Sequence, residues 1–357
     1  MSKLARWLSP VIGALAVAVT SLPSYAADTF NWKMVTTWPP NFPIFQTGVV
    51  RFAKDVETMS NGRIKIQVFA GGELVPPLQT FDAVSQGTIE LGHGAAYYWA
   101  GKVPAAQFMS AVPFGMTAKG MNAWFYNGDG LKLWQEAYAP FNVVPFPGGN
   151  TGVQMGGWFN KKIESVQDLQ GLKMRIPGLG GKVIAKAGGT PVLLAGGEIY
   201  TALERKTIDA TEWVGPFHDE RLGLYRAAQY YYYPGWHEPG TVLEVIVNKK
   251  AWDSLPPDLQ KIVESAASSL NVTMYAEFEA SNNKALRELK EKYKVNVLPF
   301  PPEVLKELRR LTKEVLTEES AKDPLFKKVY DSFTAFQADN DAWTTVSDDA
   351  YSEASKE

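Results

Sequence analysis

One arginine, two acids and one amide each stand where a predicted strand gives way to a turn. Arg175 closes the alternating run Gly171-Leu-Lys-Met-Arg-Ile-Pro177. Leu172, Met174 and Ile176 fall on one face, and Lys173 and Arg175 on the other, because side chains alternate along a strand. A planar, permanently charged guanidinium on a rigid strand tip is suited to clamping a carboxylate. The competing reading is an exposed salt bridge, which contributes little. Gln154 lies on a predicted strand, Glu212 in Thr211-Glu-Trp-Val-Gly-Pro216, and Glu238 in Trp236-His-Glu-Pro239. Two carboxylates, an amide oxygen and a turn carbonyl suit a hard cation such as sodium or calcium. A solvated or capping role is the alternative for each acid taken alone. Tyr97, Tyr98, Trp99 and Trp213 either wall such a site or pack an ordinary core.

Other chemistries are excluded or weakly supported. The chain has no cysteine, which removes disulfides, thiolate metal sites and a cysteine nucleophile. His93, His218 and His237 are its three histidines and lack the tight spacing of a zinc site. The run Pro177-Gly-Leu-Gly-Gly181 looks like a dinucleotide loop until its third glycine position falls on Val183. No Walker-type loop and no Gly-x-Ser-x-Gly nucleophile turn is present.

The elements that must position these residues read as α/β. Strand-like alternation covers 30–36, 63–69, 153–159, 208–214, 230–233 and 242–247, with a short strand into Gly92-His-Gly94 and a segment 141–147 closing the first stretch. Helical spacing covers 42–59, 76–86, a stretch holding Trp124 and Trp134, 181–187 and 199–205. Largely parallel pairing is expected. Two similar units in series, joined by extended segments, predict two lobes around a cleft. Trp252-Asp-Ser-Leu-Pro-Pro257 introduces a long bracing helix to about Leu289, and an amphipathic helix follows at 303–316. Asp323-Pro324 opens a last helix with Phe326, Val329, Tyr330, Phe333 and Phe336 on one stripe, docked on its own body or on a second subunit.

The N-terminus carries Lys3 and Arg6, an apolar run from Val11 to Val19, then small Ser24 and Ala26. This reads as a secretory signal peptide of residues 1–26, too short in its apolar run for a membrane span. Cleavage near Ala26 shifts the formal charge from -2 to -4, which argues against nucleic acid. A freely diffusing protein of the periplasm is expected, large enough for two cores.

Taken in order, the signal peptide, Gly72-Glu-Leu, Gln86-Gly-Thr-Ile-Glu-Leu-Gly92, Gly171-Leu-Lys-Met-Arg-Ile-Pro177 and Trp252-Asp-Ser-Leu-Pro-Pro257 resemble the extracytoplasmic solute receptors of TRAP transporters. Gln154, Thr211–Pro216 and Trp236–Pro239 resemble the subgroup that binds 2-oxo acids or lactate with a metal ion. The resemblance implies a two-lobed periplasmic binding protein that does no covalent chemistry. It implies that Arg175 holds the ligand carboxylate. Gln154, Glu212, Glu238 and the Trp213 carbonyl would then hold sodium or calcium, which the ligand's own oxygens also coordinate. Tyr98 would donate a hydroxyl, and Phe217 would cap a small hydrophobic tail.

The implied lobes are 27–150 with 241–252, and 151–240 with 253–320 and its bracing helices. Residues 321–357 would form a C-terminal helix exchanged in a homodimer, and TRAP membrane subunits would receive the ligand. Hinges are expected near Asn150-Thr151 and Gly240-Thr241. One departure is the Gly178-Leu-Gly-Gly181 turn, more flexible than it need be. The rival readings are a metal-free dicarboxylate or sugar-acid receptor, and a secreted metal-dependent lyase or hydrolase using Glu212 and Glu238 as acid and base.

Overall fold

The chain crosses repeatedly between two sheets, and those crossings fix where the candidate residues meet. The computed structural model describes residues 28–356, so the expected signal peptide lies outside the described residues. Strands β1 (Phe30–Thr36), β2 (Ile64–Phe69), β3 (Leu91–Gly94) and β4 (Val143–Asn150) come first. Next are β5 (Gly157–Phe159), β6 (Lys173–Arg175), β7 (Thr190–Val192), β8 (Ala210–Thr211) and β9 (Tyr230–Tyr233). Last come β10 (Val242–Asn248) and β11 (Asn296–Pro299). One sheet has the order β2-β1-β3-β10-β4 and the other β11-β9-β5-β8-β6-β7, with helices packed around both. This is a mixed α/β fold built on two sheets.

The expectation of largely parallel pairing holds only in part. Parallel pairs are β1 with β2 and β3, β6 with β7 and β8, and β9 with β11. β10 runs antiparallel to β3 and β4, and β5 antiparallel to β8 and β9. β10 arrives from the second sheet rather than from a helix on its own sheet, so no parallel crossover sets its direction. It is buried along its whole length and apolar on both faces except at Glu244 and Asn248. Such a run is typical of a central strand covered on both sides.

Several expected elements are shorter or divided. The strand expected over 153–159 is only Gly157–Phe159, because residues 151–156 form a crossing between sheets rather than a sheet edge. The strand expected over 208–214 is only Ala210–Thr211. The helix expected from Phe42 starts at Phe45, since Asn41 and Ile44 hold positive φ and break the turn before it. The aromatic stretch is two helices, Ala118–Asn127 and Gly130–Tyr138. They pack so closely that a Cβ at Gly130 would stand 2.7 Å from the Trp124 ring.

The bracing helix is real and longer than expected, Pro257–Glu291, with proline in its first turn. At 1.5 Å per residue it spans ~52 Å, and it packs on β4, the Phe45–Met59 helix and the Pro216–Leu222 helix. It thus bridges β4 of the first sheet and the helix that follows β8 of the second. The final helix, Pro324–Thr344, begins as expected at Asp323, whose carboxylate accepts from the backbone N–H of Leu325 and Phe326. Its Phe326, Val329 and Phe333 are fully buried within this chain, against Phe108 and Trp124. Farther along, Trp343, Val346 and Tyr351 remain 64–76% exposed.

Glu244 of β10 is fully buried and accepts from Trp99 Nε1 at 2.6 Å and Tyr138 Oη at 2.8 Å. Burial pushes its carboxyl up to about 8. The folded state therefore holds this proton more tightly than the unfolded chain does. Stability from this group is complete below the ordinary carboxyl range and declines as pH rises toward about 8. Glu244→Gln abolishes that titration. Denaturant unfolding from pH 5 to 9 should show the variant losing less stability than the parent, by about 1 kcal/mol or more.

Candidate binding site

Arg175 ends β6 as its alternation requires, but it does not face solvent. It is 1% exposed. Its neighbours explain why: β6 lies between β7 and β8, with Arg175 in register with Val192 and Thr211. Glu212 follows Thr211, and its backbone N–H donates to the Arg175 carbonyl at 3.2 Å. The register brings the two side chains together, and Arg175 Nη1 donates to Glu212 Oε1 in a pair that is 1% exposed on both sides. The remaining guanidinium donors reach the Leu194 carbonyl (3.2 Å), the Glu212 carbonyl (3.3 Å) and Tyr98 Oη (3.4 Å). The guanidinium also lies 5.4 Å from the Trp213 ring.

Gln154 and Glu238 come from the two segments that cross between the sheets, which hydrogen-bond to one another. Thr151 N–H donates to the Thr241 carbonyl at 3.0 Å and Gln154 N–H to the Glu238 carbonyl at 3.2 Å. Gln154 Nε2 then donates to Glu238 Oε2 at 2.8 Å, and Thr241 Oγ1 donates to the same oxygen at 2.6 Å. Tyr97 Oη adds a third donor at 3.3 Å. Tyr97 and Tyr98 leave one short turn after β3, and each reaches one charged residue much later in the chain, Glu238 at a separation of 141 positions and Arg175 at 77 respectively. Trp213 packs edge-on against Trp38, Phe42 and Phe45 from the β1 side. Behind it, Asp219 accepts from the Val214 N–H, Trp158 and Tyr231, which fixes the turn carrying Glu212 and Trp213.

The site is rich in acceptors that have no donor. Gln154 Oε1, Glu212 Oε2 and Glu238 Oε1 are buried without hydrogen-bond partners. Ligand atoms of Glu212, His237 and Glu238 lie within 4.8 Å of one another. Burial pushes the Glu212 carboxyl up to about 7, against the pull of Arg175. Burial and the Glu212 charge likewise push Glu238 up to about 7. Burial holds His237 down to about 4, so its imidazole is neutral. Arg175 keeps its proton: burial opposes the charge, and Glu212 more than compensates. Buried oxygens left unpaired are costly. A hard cation satisfies several at once, so the donor set fits sodium or calcium.

The structure therefore gathers Arg175, Glu212, Glu238, Gln154, Tyr98 and Trp213. Phe217 stands apart. It follows Pro216 in the first turn of its helix, is half-buried, and its ring lies under the Arg221 guanidinium beside a surface cleft shared with Glu220 and Lys284. His237, Tyr97, Thr151 and Thr241 belong to the site and were not expected as its polar groups. His237 is the immediate neighbour of Glu238, which was the available signal.

The glycines after Arg175 are required by contact rather than by flexibility. Gly178 has φ +59°, and a Cβ there would meet Tyr97 Cβ at 3.0 Å. A Cβ at Gly180 would meet His237 Cβ at 3.0 Å.

The chain matches the model of the bacterial extracellular solute-binding proteins, family 7, over residues 34–323. It is 48% identical over 348 residues to a monocarboxylate 2-oxoacid-binding periplasmic protein of Nostoc sp. strain PCC 7120, covering 95% of each. A TRAP periplasmic solute-binding protein from Pseudoalteromonas atlantica, solved with sodium and pyruvate, superposes with a TM-score of 0.90 at 46% identity. The match covers 92% of this chain and 100% of that one. A second, from Colwellia psychrerythraea with calcium and pyruvate, gives a TM-score of 0.89 at 46% identity over the same shares.

Gly178→Ala places a side chain at a left-handed position and against Tyr97. Its expected cost is about 1–2 kcal/mol, read as a lower midpoint in denaturant unfolding. Unchanged stability would mean that the Tyr97 turn does not need this close approach.

Proposed function

The chain belongs to the bacterial extracellular solute-binding proteins of family 7, and on that premise we propose how this TRAP solute receptor holds its ligand. The ligand is a small 2-oxo monocarboxylate such as pyruvate or 2-oxobutyrate, or the 2-hydroxy acid lactate, bound with sodium or calcium. The observation that carries this reading is the buried Arg175 flanked by two carboxylates and three unpaired oxygens. Arg175 clamps the ligand carboxylate. Glu212, Glu238, Gln154 and the Trp213 carbonyl hold the cation, whose charge offsets that of the acids and lets an acidic pocket accept an anion. Tyr98 steers the ligand carboxylate through its hydroxyl. Phe217 lines the surface cleft with Glu220 and Lys284, and no ligand contact is assigned to it here.

The relatives named above support the ligand class. Arg175 is the one cationic side chain in the cluster, because His237 is neutral. A second ligand carboxylate would lack a partner, which disfavours the metal-free dicarboxylate reading. Glu212 and Glu238 serve binding here, and no covalent step is assigned to them. The same reading takes residues 1–26 as a signal peptide cut near Ala26. It places two lobes about hinges at Asn150-Thr151 and Gly240-Thr241, delivering ligand to TRAP membrane subunits. The exposed Trp343, Val346 and Tyr351 favour a homodimer through the C-terminal helix.

Thermal unfolding tests the assignment. Pyruvate with calcium or sodium at about a thousandfold over the dissociation constant should stabilise by ~4 kcal/mol, a shift on the order of 5–10 °C. Dicarboxylates and sugar acids should do far less. A shift with those acids alone, indifferent to chelator, would remove Glu212 and Glu238 as cation ligands. Turnover of pyruvate by the purified protein would establish the enzyme reading instead.

Arg175→Lys keeps the charge but loses the planar fork. Its pyruvate affinity, measured by calorimetry, should fall at least about tenfold, and that of Arg175→Ala about a hundredfold or more. Cation affinity should also depend on pH. Glu212 and Glu238 bind protons in the empty site up to about 7, and the cation must displace them. Apparent calcium affinity should therefore weaken as pH falls from 8 to 6, with proton release on binding. A flat profile would place the cation elsewhere.

A further inference from the structure

Arg175 cannot offer a ligand carboxylate its paired donors as it stands, because Nη1 is fully engaged and Nη2 keeps one N–H beside its bond to Tyr98. Nη1 donates to both the side chain and the backbone carbonyl of Glu212, and Nη2 to Tyr98. The Glu212 carboxylate occupies the place on the guanidinium that an incoming carboxylate would take. Its other oxygen, Oε2, has no hydrogen-bond partner and lies 3.5 Å from the neutral His237. Glu238 presents a second unpaired oxygen in the same cluster.

With Arg175 charged and both acids ionised, the cluster already carries one net negative charge. An anion arriving alone would have to displace Glu212 and leave two carboxylates and itself around a single cation. At interior dielectric such crowding is strongly unfavourable. A cation lodged between Glu212 and Glu238 changes both terms. It gives Glu212 a new partner, frees the guanidinium, and restores charge balance.

We infer that Glu212 is a stand-in for the ligand, exchanging Arg175 for the cation so that carboxylate binding is conditional on cation binding. This rests on the proposed receptor function and adds an order of events to it. The cation enters first and Glu212 turns to it. The ligand carboxylate then takes the vacated face of Arg175. By linkage the ligand tightens the cation in equal measure. A divalent ion brings the loaded site to zero net charge and a monovalent ion leaves it at minus one, so calcium couples more strongly than sodium.

The test is pyruvate binding by calorimetry to the parent, Glu212→Gln and Glu238→Gln, each in chelator and in saturating calcium, with sodium as a further arm. In the parent, calcium should tighten pyruvate at least about tenfold, and sodium should do so less. In chelator, Glu212→Gln should bind pyruvate more tightly than the parent, because a neutral amide holds Arg175 weakly. Glu238→Gln, which loses the same formal charge but leaves the ion pair in place, should gain less. Equal gains in the two variants would reduce the effect to net charge and overturn the exchange. So would tight binding of pyruvate by the parent in chelator, a result that needs no variant to fold. Failure of the parent to bind pyruvate with any cation would overturn the receptor reading along with it.

Discussion

The structure is organised around the cost of keeping one positive charge out of water. Arg175 sits at the end of a three-residue strand, and every element near it supplies an acceptor or a wall. The β6–β8 register delivers Glu212, the turn after β7 delivers the Leu194 carbonyl, and the turn after β3 delivers Tyr98. An ion pair this deep is not by itself a source of stability, since desolvation offsets much of the attraction. Its retention here, with three further oxygens left unpaired, marks a place built for a charge that comes and goes.

The two sheets are joined by backbone that also carries polar side chains of the candidate site. The two crossing segments are hydrogen-bonded to one another before either side chain is considered. Gln154 and Glu238 are therefore set side by side by the connection itself. The long helix Pro257–Glu291 packs on β4 of the first sheet and on the Pro216–Leu222 helix that follows β8, and its Phe278 joins the aromatic cluster of Phe45 and Trp213. A rotation about the crossings would alter the approach of Tyr97 and Tyr98 to Glu238 and Arg175, while Arg175–Glu212 and Gln154–Glu238 would travel as units.

Much of this was legible because it is local. Alternation located β1, β6 and β9; proline in the first turn located the helices at 257, 302 and 324; Asp323 announced its own cap. The partnership of Arg175 with Glu212 was not legible, because register between strands of three and two residues leaves no period to read. Gln154 was expected on a strand and lies on a crossing, a difference that depends on which sheet each neighbour joins. The glycines at 178 and 180 looked like slack, and their purpose appears only once Tyr97 and His237 stand against them. Phe217 was expected in the pocket wall, and it lines a surface cleft with residues of the long helix, a neighbourhood that no local pattern announces.

β10 has one more consequence, for how the chain acquires its shape. Val245 pairs with His93, about 150 residues earlier, and β11 near residue 296 completes the other sheet at the edge of β9. Neither sheet can close from a contiguous stretch of sequence, so contact order is high and the loop-closure entropy is met late. A nascent chain stopped near residue 240 would hold two unfinished sheets with open edges. Folding of this protein is consequently an event of nearly the whole chain, and its two halves mature together rather than in succession.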